Sequence, residues 1–400
     1  MAVTGSITTG FKDENGVDLG KTLIEKDYLI SVYPNLLNQF NTPMLMGWGS
    51  NAHGKLGDNT QVSKSSPVQT IAYGANWKQV SCGYNTAAIK TDGTLWTWGY
   101  NANGELGDNT IAKKSSPVQT TAYGTNWKQV SSAVTSMAAI KTDGTLWTWG
   151  KNNYGQLGDN TITNRSSPVQ TVAFGTNWMQ VACGDNFMAA VKTDGTLWTW
   201  GLDNGGNLGD NTATSKSSPV QVIGFAKTWK QVSCGISYHV AAIKNDGTLW
   251  CWGFNFYGNL GDNTGTNRSS PVQTVTGGTN WKQVSCGSFI TAGIKTDGTL
   301  WTWGYNSTAS LGDNTITNRS SPVQTIARGT NWKQVSSNWA TIAAIKTDGT
   351  LWNWGHNAYG QLGDNTITNR SSPVQTVIGG NTWKFVSSYK STFAIKDGDF

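Results

Sequence analysis

The chain has 400 residues, 37% of them hydrophobic and 13% charged, enough to bury a substantial core in one large domain or two to three small ones, which excludes a short disulfide-stapled scaffold. Its 48 Gly, 21 Trp and 3 His imply many turns and few helices. The net charge of +6 is spread over lysines that lie near aspartates, as Lys90, Lys141, Lys192 and Lys244 do, so the basic stripe of a nucleic-acid binder is missing. No apolar run reaches the roughly 18 residues needed to span a bilayer, and no basic-then-apolar leader opens the chain. The expectation is a soluble protein with neither nucleic acid nor membrane as partner, cytoplasmic unless it is packaged in a particle.

Residues 1–43 stand outside everything that repeats. This arm carries Lys12, Lys21 and Lys26 against Asp13, Glu14, Asp18, Glu25 and Asp27, a net −2 that leaves +8 for the rest. Its apolar stretch Tyr28, Leu29, Ile30, Ser31, Val32, Tyr33 is ended by Pro34, the pattern of a strand added to a partner's sheet edge. We expect the arm to dock on another protein, with Tyr28, Leu29, Ile30, Val32 and Tyr33 in the contact.

From residue 44 to residue 400 one unit recurs. Leu-Gly-Asp-Asn-Thr begins at Leu56, Leu106, Leu157, Leu208, Leu260, Leu311 and Leu362, a period of 50 to 52. Each copy continues through Ser-Ser-Pro-Val, a tryptophan strand such as Trp77-Lys78-Gln79-Val80, and a run like Ala88 to Gly99. Asp92-Gly93 lies between two apolar-rich runs and predicts a tight type I′ hairpin. Proline cannot donate to a ladder, so Ser66-Pro67-Val68 predicts an outermost edge strand. Four short strands per unit, seven times over, predict an all-β, seven-bladed β-propeller. The seventh copy stops at Lys396-Asp397-Gly398-Asp399-Phe400, before its Leu-Trp-x-Trp-Gly strand, and Met44-Leu45-Met46-Gly47-Trp48-Gly49 supplies that strand in register. One blade is thus expected to be closed by N- and C-terminal strands together, which seals edges that would otherwise be open.

The run Val80-Ser81-Cys82-Gly83, Ala87-Ala88-Ile89, Asp92-Gly93, Leu95-Trp96-x-Trp98-Gly99-x-Asn101 and Gly104-x-Leu106-Gly107 resembles the repeat of the regulator of chromosome condensation family over residues 44–400. The resemblance implies a seven-bladed propeller with interleaved terminal strands. For function it implies either a chromatin-bound nucleotide-exchange factor for a small GTPase, as in the founding member, or a binding module. Where the family often has His after the strand-ending Gly, this chain has Thr86, Phe187, Tyr238 and Ile290, and it lacks a basic tail and a long insertion. The near-identical copies are similar to those of bacterial and viral members.

Catalysis needs a constellation that differs from its surroundings, whereas almost every aspartate here belongs to a seven-fold set. Asp92 and its equivalents serve hairpins, and Asp58, Asp108 and their equivalents serve Gly-Asp-Asn turns, where Asp and Asn bond nearby backbone. One carboxylate per turn is too few for calcium, which takes several oxygens. Cys82, Cys183, Cys234 and Cys286 share a position with Ser132, Ser337 and Ser388, the mark of a small buried side chain, and no paired ligands suggest zinc. Neither enzyme activity, cofactor nor metal is expected.

The copies differ in length at one place. Trp77 to Ile89 is 12 residues, Trp178 to Val191 is 13 and Trp229 to Ile243 is 14, while Leu56 to Trp77 and its equivalents are always 21. The insertions fall in the turn after Val-Ser-Cys-Gly, on one face of the ring, and this turn also varies most in sequence. Tyr84, Asn85, Asp185, Phe187, Tyr238, His239, Phe289, Trp339 and Tyr389 make it a candidate recognition surface, since aromatics give contact area at low entropic cost. The features together suggest a non-enzymatic structural or binding propeller, a bacteriophage virion component in the head decoration, tail or fibre. It would be anchored by its arm to other structural proteins of a large assembly and present its variable face to a host-surface receptor or glycan. The alternative is a guanine-nucleotide exchange factor or other GTPase regulator, for which Glu105, Asp185 and Asp203 are the asymmetric acids.

Overall fold

The computed structural model describes residues 43–397 apart from 72–75, 123, 174, 225–226 and 328. The arm, and with it Tyr28, Leu29, Ile30, Val32 and Tyr33, lies outside the described residues. Seven four-stranded antiparallel sheets follow one another. In the first, Trp77–Cys82, Asn85–Lys90, Leu95–Gly99 and Lys114–Gln119 pair in chain order. The Trp-x-Gln-Val strands of successive sheets touch one another around the ring, so they are innermost. The Ser-Ser-Pro-Val strand pairs on one side only, and Pro117 falls in the irregular stretch between Gly99↔Lys114 and Thr97↔Val118, where no ladder donor is needed.

Side chains explain the layering. The second strand is buried from Asn85 to Ile89 and the outer strand is half-buried throughout. The inner-strand and third-strand tryptophans of a blade meet edge to face, Trp77 and Trp98 with centroids 6.1 Å apart, an arrangement that adds to what area burial alone contributes. Trp98 Nε1 also donates to the Lys55 carbonyl of the preceding blade's loop at 2.7 Å, and Trp149 to that of Glu105 at 2.8 Å. A residue chosen for bulk therefore ties neighbouring blades as well.

Polar clamps join the inner strands. Gln79 Nε2 donates to the Val130 carbonyl at 3.2 Å while its Oε1 accepts from Val130 N at 3.1 Å, and Gln129 holds Val181 in the same way. At the joint between the last blade and the first, Phe385 occupies the glutamine position, and the Ser387 hydroxyl, accepting from Cys82 N at 3.3 Å, links the two inner strands there.

That last blade is built as the sequence predicts. Trp383–Ser388 and Ser391–Lys396 are followed by Met44–Gly49 and Lys64–Gln69, and Met44–Gly49 lies opposite Lys396–Ser391 without a break in register. The hairpin turn differs from expectation. Gly93 N bonds the Lys90 carbonyl and Lys90 N the Thr94 carbonyl, both at 3.0 Å, and only Gly93 of the Asp-Gly pair has positive φ, +81°. This is a turn through Thr91 and Asp92 closed by a left-handed glycine bulge. Asp92 keeps negative φ because its carboxylate is engaged by Thr94 N at 2.9 Å and Thr94 Oγ1 at 2.7 Å.

Candidate interaction face

The turns from inner to second strand and the loops from third to outer strand share one end of the ring; the Asp-Gly hairpins occupy the other. Six of the seven loops are pinned by an asparagine. Asn152 Nδ2 donates to Asp159 Oδ1 at 3.0 Å and to the Thr161 and Thr163 carbonyls at 3.1 Å, and its Oδ1 accepts from Leu157 N at 2.9 Å. Asp159 in turn accepts from Thr161 Oγ1 at 2.7 Å and pairs with Arg165 at 2.7 Å. These bonds hold its carboxyl below the usual range although burial pushes the other way. The Gly-Asp-Asn aspartate is thus a structural member, as its side-chain chemistry suggested. Asn152→Ala strands a buried N–H and several carbonyls, so we expect it to cost about 2–4 kcal/mol, read as a lower urea midpoint with unchanged slope.

The length differences do fall in the turns from inner to second strand, but the residues nominated there divide into two groups. Asn85, Phe187 and His239 are fully buried and Tyr389 is 3% exposed, which corrects the expectation that they face solvent. The physical reason is register: each of the first three opens a second strand opposite a glycine, Asn85↔Gly99, Phe187↔Gly201 and His239↔Gly253, and points between blades. Variation there follows the shape of a gap. Tyr84, Asp185, Tyr238, Phe289 and Trp339 are half-buried. Tyr84 stacks edge-on against Tyr389 at 5.6 Å, and Val134 and Ile236 pack on the same cluster, so turns from across the ring meet over its axis. Asp185 holds Asn186 at 2.9 Å, which reaches the Tyr238 hydroxyl at 3.3 Å; burial raises the carboxyl's proton affinity, and Oδ1 has no hydrogen-bond partner.

An aromatic patch of which the sequence reading named only Phe289 covers the fourth and fifth blades. Phe254 lies 5.7 Å from Phe289, Tyr257 lies 4.9 Å from both Phe289 and Tyr305, and Phe256, 70% exposed, lies 5.0 Å from Tyr257. A depression beside it is lined by Phe256, Tyr257, Asn263, Thr264, Asn318 and Ser320. Further round, Trp339 meets His356 at 4.7 Å, with Lys390 5.2 Å above the Trp339 ring. The signal was present: at the position of Phe256 the other copies have Ala52, Ala102, Asn153, Asn204, Ser307 and Ala358.

Titratable groups on this face turn inward. Glu105 is buried, bonded by Asn103 N at 2.8 Å and Asn103 Nδ2 at 2.7 Å, and burial raises its proton affinity. His239 sits against Thr291 Oγ1 at 3.1 Å with its pKa lowered to about 4 by burial. The five cysteines are free and buried, and burial raises their pKa values, to about 12 for Cys183. Among the described residues no three His, Cys, Asp or Glu side chains come together.

A ring of seven tandem blades, sealed by its own two ends and bearing aromatics on one end, defines the chain as a closed repeat β-propeller. The regulator of chromosome condensation (RCC1) repeat matches residues 45–89, 92–140, 143–191, 194–243, 246–294 and 348–390, and the chain belongs to that family. It is 31% identical over 233 residues to the ultraviolet-B receptor UVR8 of Arabidopsis thaliana, covering 58% of this chain and 53% of the receptor. It is 29% identical over 279 residues to the mitochondrial RCC1 domain-containing protein RUG3 of the same plant, covering 65% and 61%. The chain therefore spans between half and two thirds of these relatives. In structure it is similar to human WBSCR16, with TM-score 0.79 at 21% identity, covering 90% of this chain and all of that one. It is also similar to Prp20p of Saccharomyces cerevisiae, described with its binding to Gsp1p and histones, with TM-score 0.80 at 17% identity, covering 90% and 92%. These relatives are eukaryotic and none is named as a particle component, so the bacteriophage origin, the virion location and the structural-protein partners expected from repeat identity find no support in them.

Proposed function

We propose that the ring is a non-enzymatic platform that binds a protein partner through the end carrying the variable turns. The observation that carries this reading is the aromatic patch of Phe254, Phe256, Tyr257, Phe289 and Tyr305, which leaves Phe256 70% exposed where nothing in the fold requires a large apolar residue. Aromatic anchors of this kind dominate protein interfaces. The relatives support a binding role: Prp20p is described with Gsp1p and histones, and a second yeast structure holds Kap60 on RCC1. With a partner captured by the full-length chain, Phe256→Ala together with Tyr257→Ala is expected to weaken binding by at least about 2 kcal/mol, roughly thirtyfold in Kd, without lowering the melting temperature. Unchanged Kd in that double variant would place the interface elsewhere.

Regulation of a small GTPase, which the family resemblance implies, is a second reading favoured by Asp185, an acid near the axis with one unpartnered oxygen. Glu105 is buried and engaged, so it does not share that role. Release of labelled GDP from candidate GTPases is expected to accelerate with the wild-type chain and to lose the acceleration in Asp185→Ala; no acceleration by wild type dismisses this reading while leaving the binding platform standing.

A further inference from the structure

Six of the seven loops that lead to the outer strands are pinned by asparagine: Asn51, Asn101, Asn152, Asn255, Asn306 and Asn357. In each, the amide nitrogen sits among oxygens that all accept. For Asn255 these are Asp262 Oδ1 at 3.0 Å, the Thr264 carbonyl at 3.2 Å and hydroxyl at 3.3 Å, and the Thr266 carbonyl at 3.0 Å. In the third blade the residue at that place is Asp203, and the equivalents of the surrounding groups are Asp210, Thr212 and Thr214.

The third loop keeps part of this frame, with Asn207 adding bonds of its own to Asn204 N and the Leu202 carbonyl. Asp203 N donates to Ser215 Oγ at 3.1 Å, as Asn152 N does to Asn164 Oδ1 at 2.8 Å. Asp210 Oδ1 accepts from Thr212 N at 3.0 Å and Thr212 Oγ1 at 2.7 Å, as in every other copy. Asp203 Oδ1 accepts from Gly206 N at 3.0 Å, whereas the asparagines accept from the leucine N five residues on, as Asn152 does from Leu157 N at 2.9 Å. The donor half is gone: a carboxylate has no N–H to give, and Asp203 Oδ2 is buried without any partner. A buried, unpartnered carboxylate oxygen near a second carboxylate is repulsive, and burial and Asp210 raise the proton affinity of Asp203 against the opposing backbone N–H groups of residues 206 to 208. Lys216 lies 3.6 Å from the far oxygen of Asp210 and serves that oxygen, as its equivalents do in the other blades. Something positive belongs at the vacated amide position.

We propose that this one loop binds a calcium ion through Asp203 and Asp210, with the carbonyls of Thr212 and Thr214 and the Thr212 hydroxyl completing an all-oxygen set. A single proton supplies one donor where the amide supplied two, and it leaves most of the acceptors unanswered. Two carboxylates and three neutral oxygens, with water to fill the remainder, are the ligands calcium takes in its flexible coordination of six to eight; magnesium demands a stricter octahedron, and zinc prefers nitrogen and sulfur. The objection that each turn offers only one carboxylate holds for six loops and fails for this one. The inference is independent of the partner-binding reading.

The test is a thermal melt and a calorimetric titration of the full chain with calcium chloride after EDTA treatment, on wild type and Asp203→Asn. Wild type should bind one calcium per chain and melt a few °C higher at saturation. Asp203→Asn restores the amide clamp, so it should melt above calcium-free wild type and show neither calorimetric heat nor a shift on adding calcium. Asp210→Asn, which leaves Asp203 in place, should also lose the calcium response. Equal calcium responses in wild type and Asp203→Asn would overturn the assignment. So would a wild type indifferent to calcium that loses stability relative to Asp203→Asn as pH rises above the ordinary carboxylate range, the mark of a proton in the site.

Discussion

A chain begun at Ser50 will not form a stable ring, whereas a chain that runs from Asn76 to Lys396, then through a Thr-Asp-Gly-Thr turn into Leu45, and ends at Ile71 will. The first lacks Met44–Gly49, so Ser391–Lys396 loses its partner along the whole strand, Lys64–Gln69 is left with no sheet to join, and the niches of Leu45 and Trp48, both buried, stand empty. Losing the tryptophan alone costs about 3–5 kcal/mol and the leucine about 2–5. Together with the exposed ladder this matches or exceeds the roughly 5–15 kcal/mol by which domains are stable. The second chain keeps every strand and replaces a non-covalent closure with the hairpin the other blades use, while its new ends fall in a connection between blades. Circular dichroism melts and size-exclusion chromatography separate the outcomes. If the truncated chain melts cooperatively within a few °C of the intact one, the terminal strand is not what holds the circle together.

How much of this was legible depended on whether a residue's role is set within its own strand or across a blade boundary. Pro117, the Asp-Gly pair and the Leu-Trp-x-Trp-Gly strand act locally, and seven copies repeat the message, so blade number, strand order and the split blade could be read from the chain. The turn class could not, because Asp92 accepts either sign of φ and the Thr94 hydrogen bonds that decide it are not visible in a dipeptide. Asn85, Phe187 and His239 vary as exposed residues do, yet they fill spaces whose walls belong to another sheet. The reverse error hid Phe256 and Tyr257: their loop is invariant in length, so its residues passed for framework. Asp203 stood out as an asymmetric acid, but its meaning appears only once the oxygens around the asparagine of the other six loops are known.

Lys55 is the other residue whose environment no local pattern reveals, and replacing it by methionine should stabilise the protein near neutral pH. It is 2% exposed at a position where the other copies carry Glu105, Gln156, Asn207, Asn259, Ser310 and Gln361. Its ammonium has the Tyr389 ring at 5.1 Å and the Tyr84 ring at 6.0 Å, worth about 0.5–2 kcal/mol to the charged form. Burial outweighs that contribution, with Lys390 adding to it, and the pKa is lowered to about 7. The folded state therefore holds fewer protons than the unfolded one between about pH 7 and the ordinary lysine value, so this group makes stability rise with pH there, by about 1.4 kcal/mol per unit. Below pH 7 the amine is charged in both states and the cost of burying it is fully present. Two other sets of groups leave the lower part of that window clear: His239, lowered to about 4, acts as pH falls below the ordinary histidine range, and Cys82, raised to about 11 by burial, lowers stability only as pH rises past the ordinary thiol range. Between about pH 7 and 8.5 the difference between wild type and Lys55→Met isolates the lysine. The variant should be the more stable by several kcal/mol at pH 6, with the gap narrowing steadily above pH 7 in urea denaturation at matched ionic strength. A gap that widens with pH, or a variant less stable than wild type at pH 6, would show that the tyrosine rings hold a full charge in place and that the last joint of the ring depends on it.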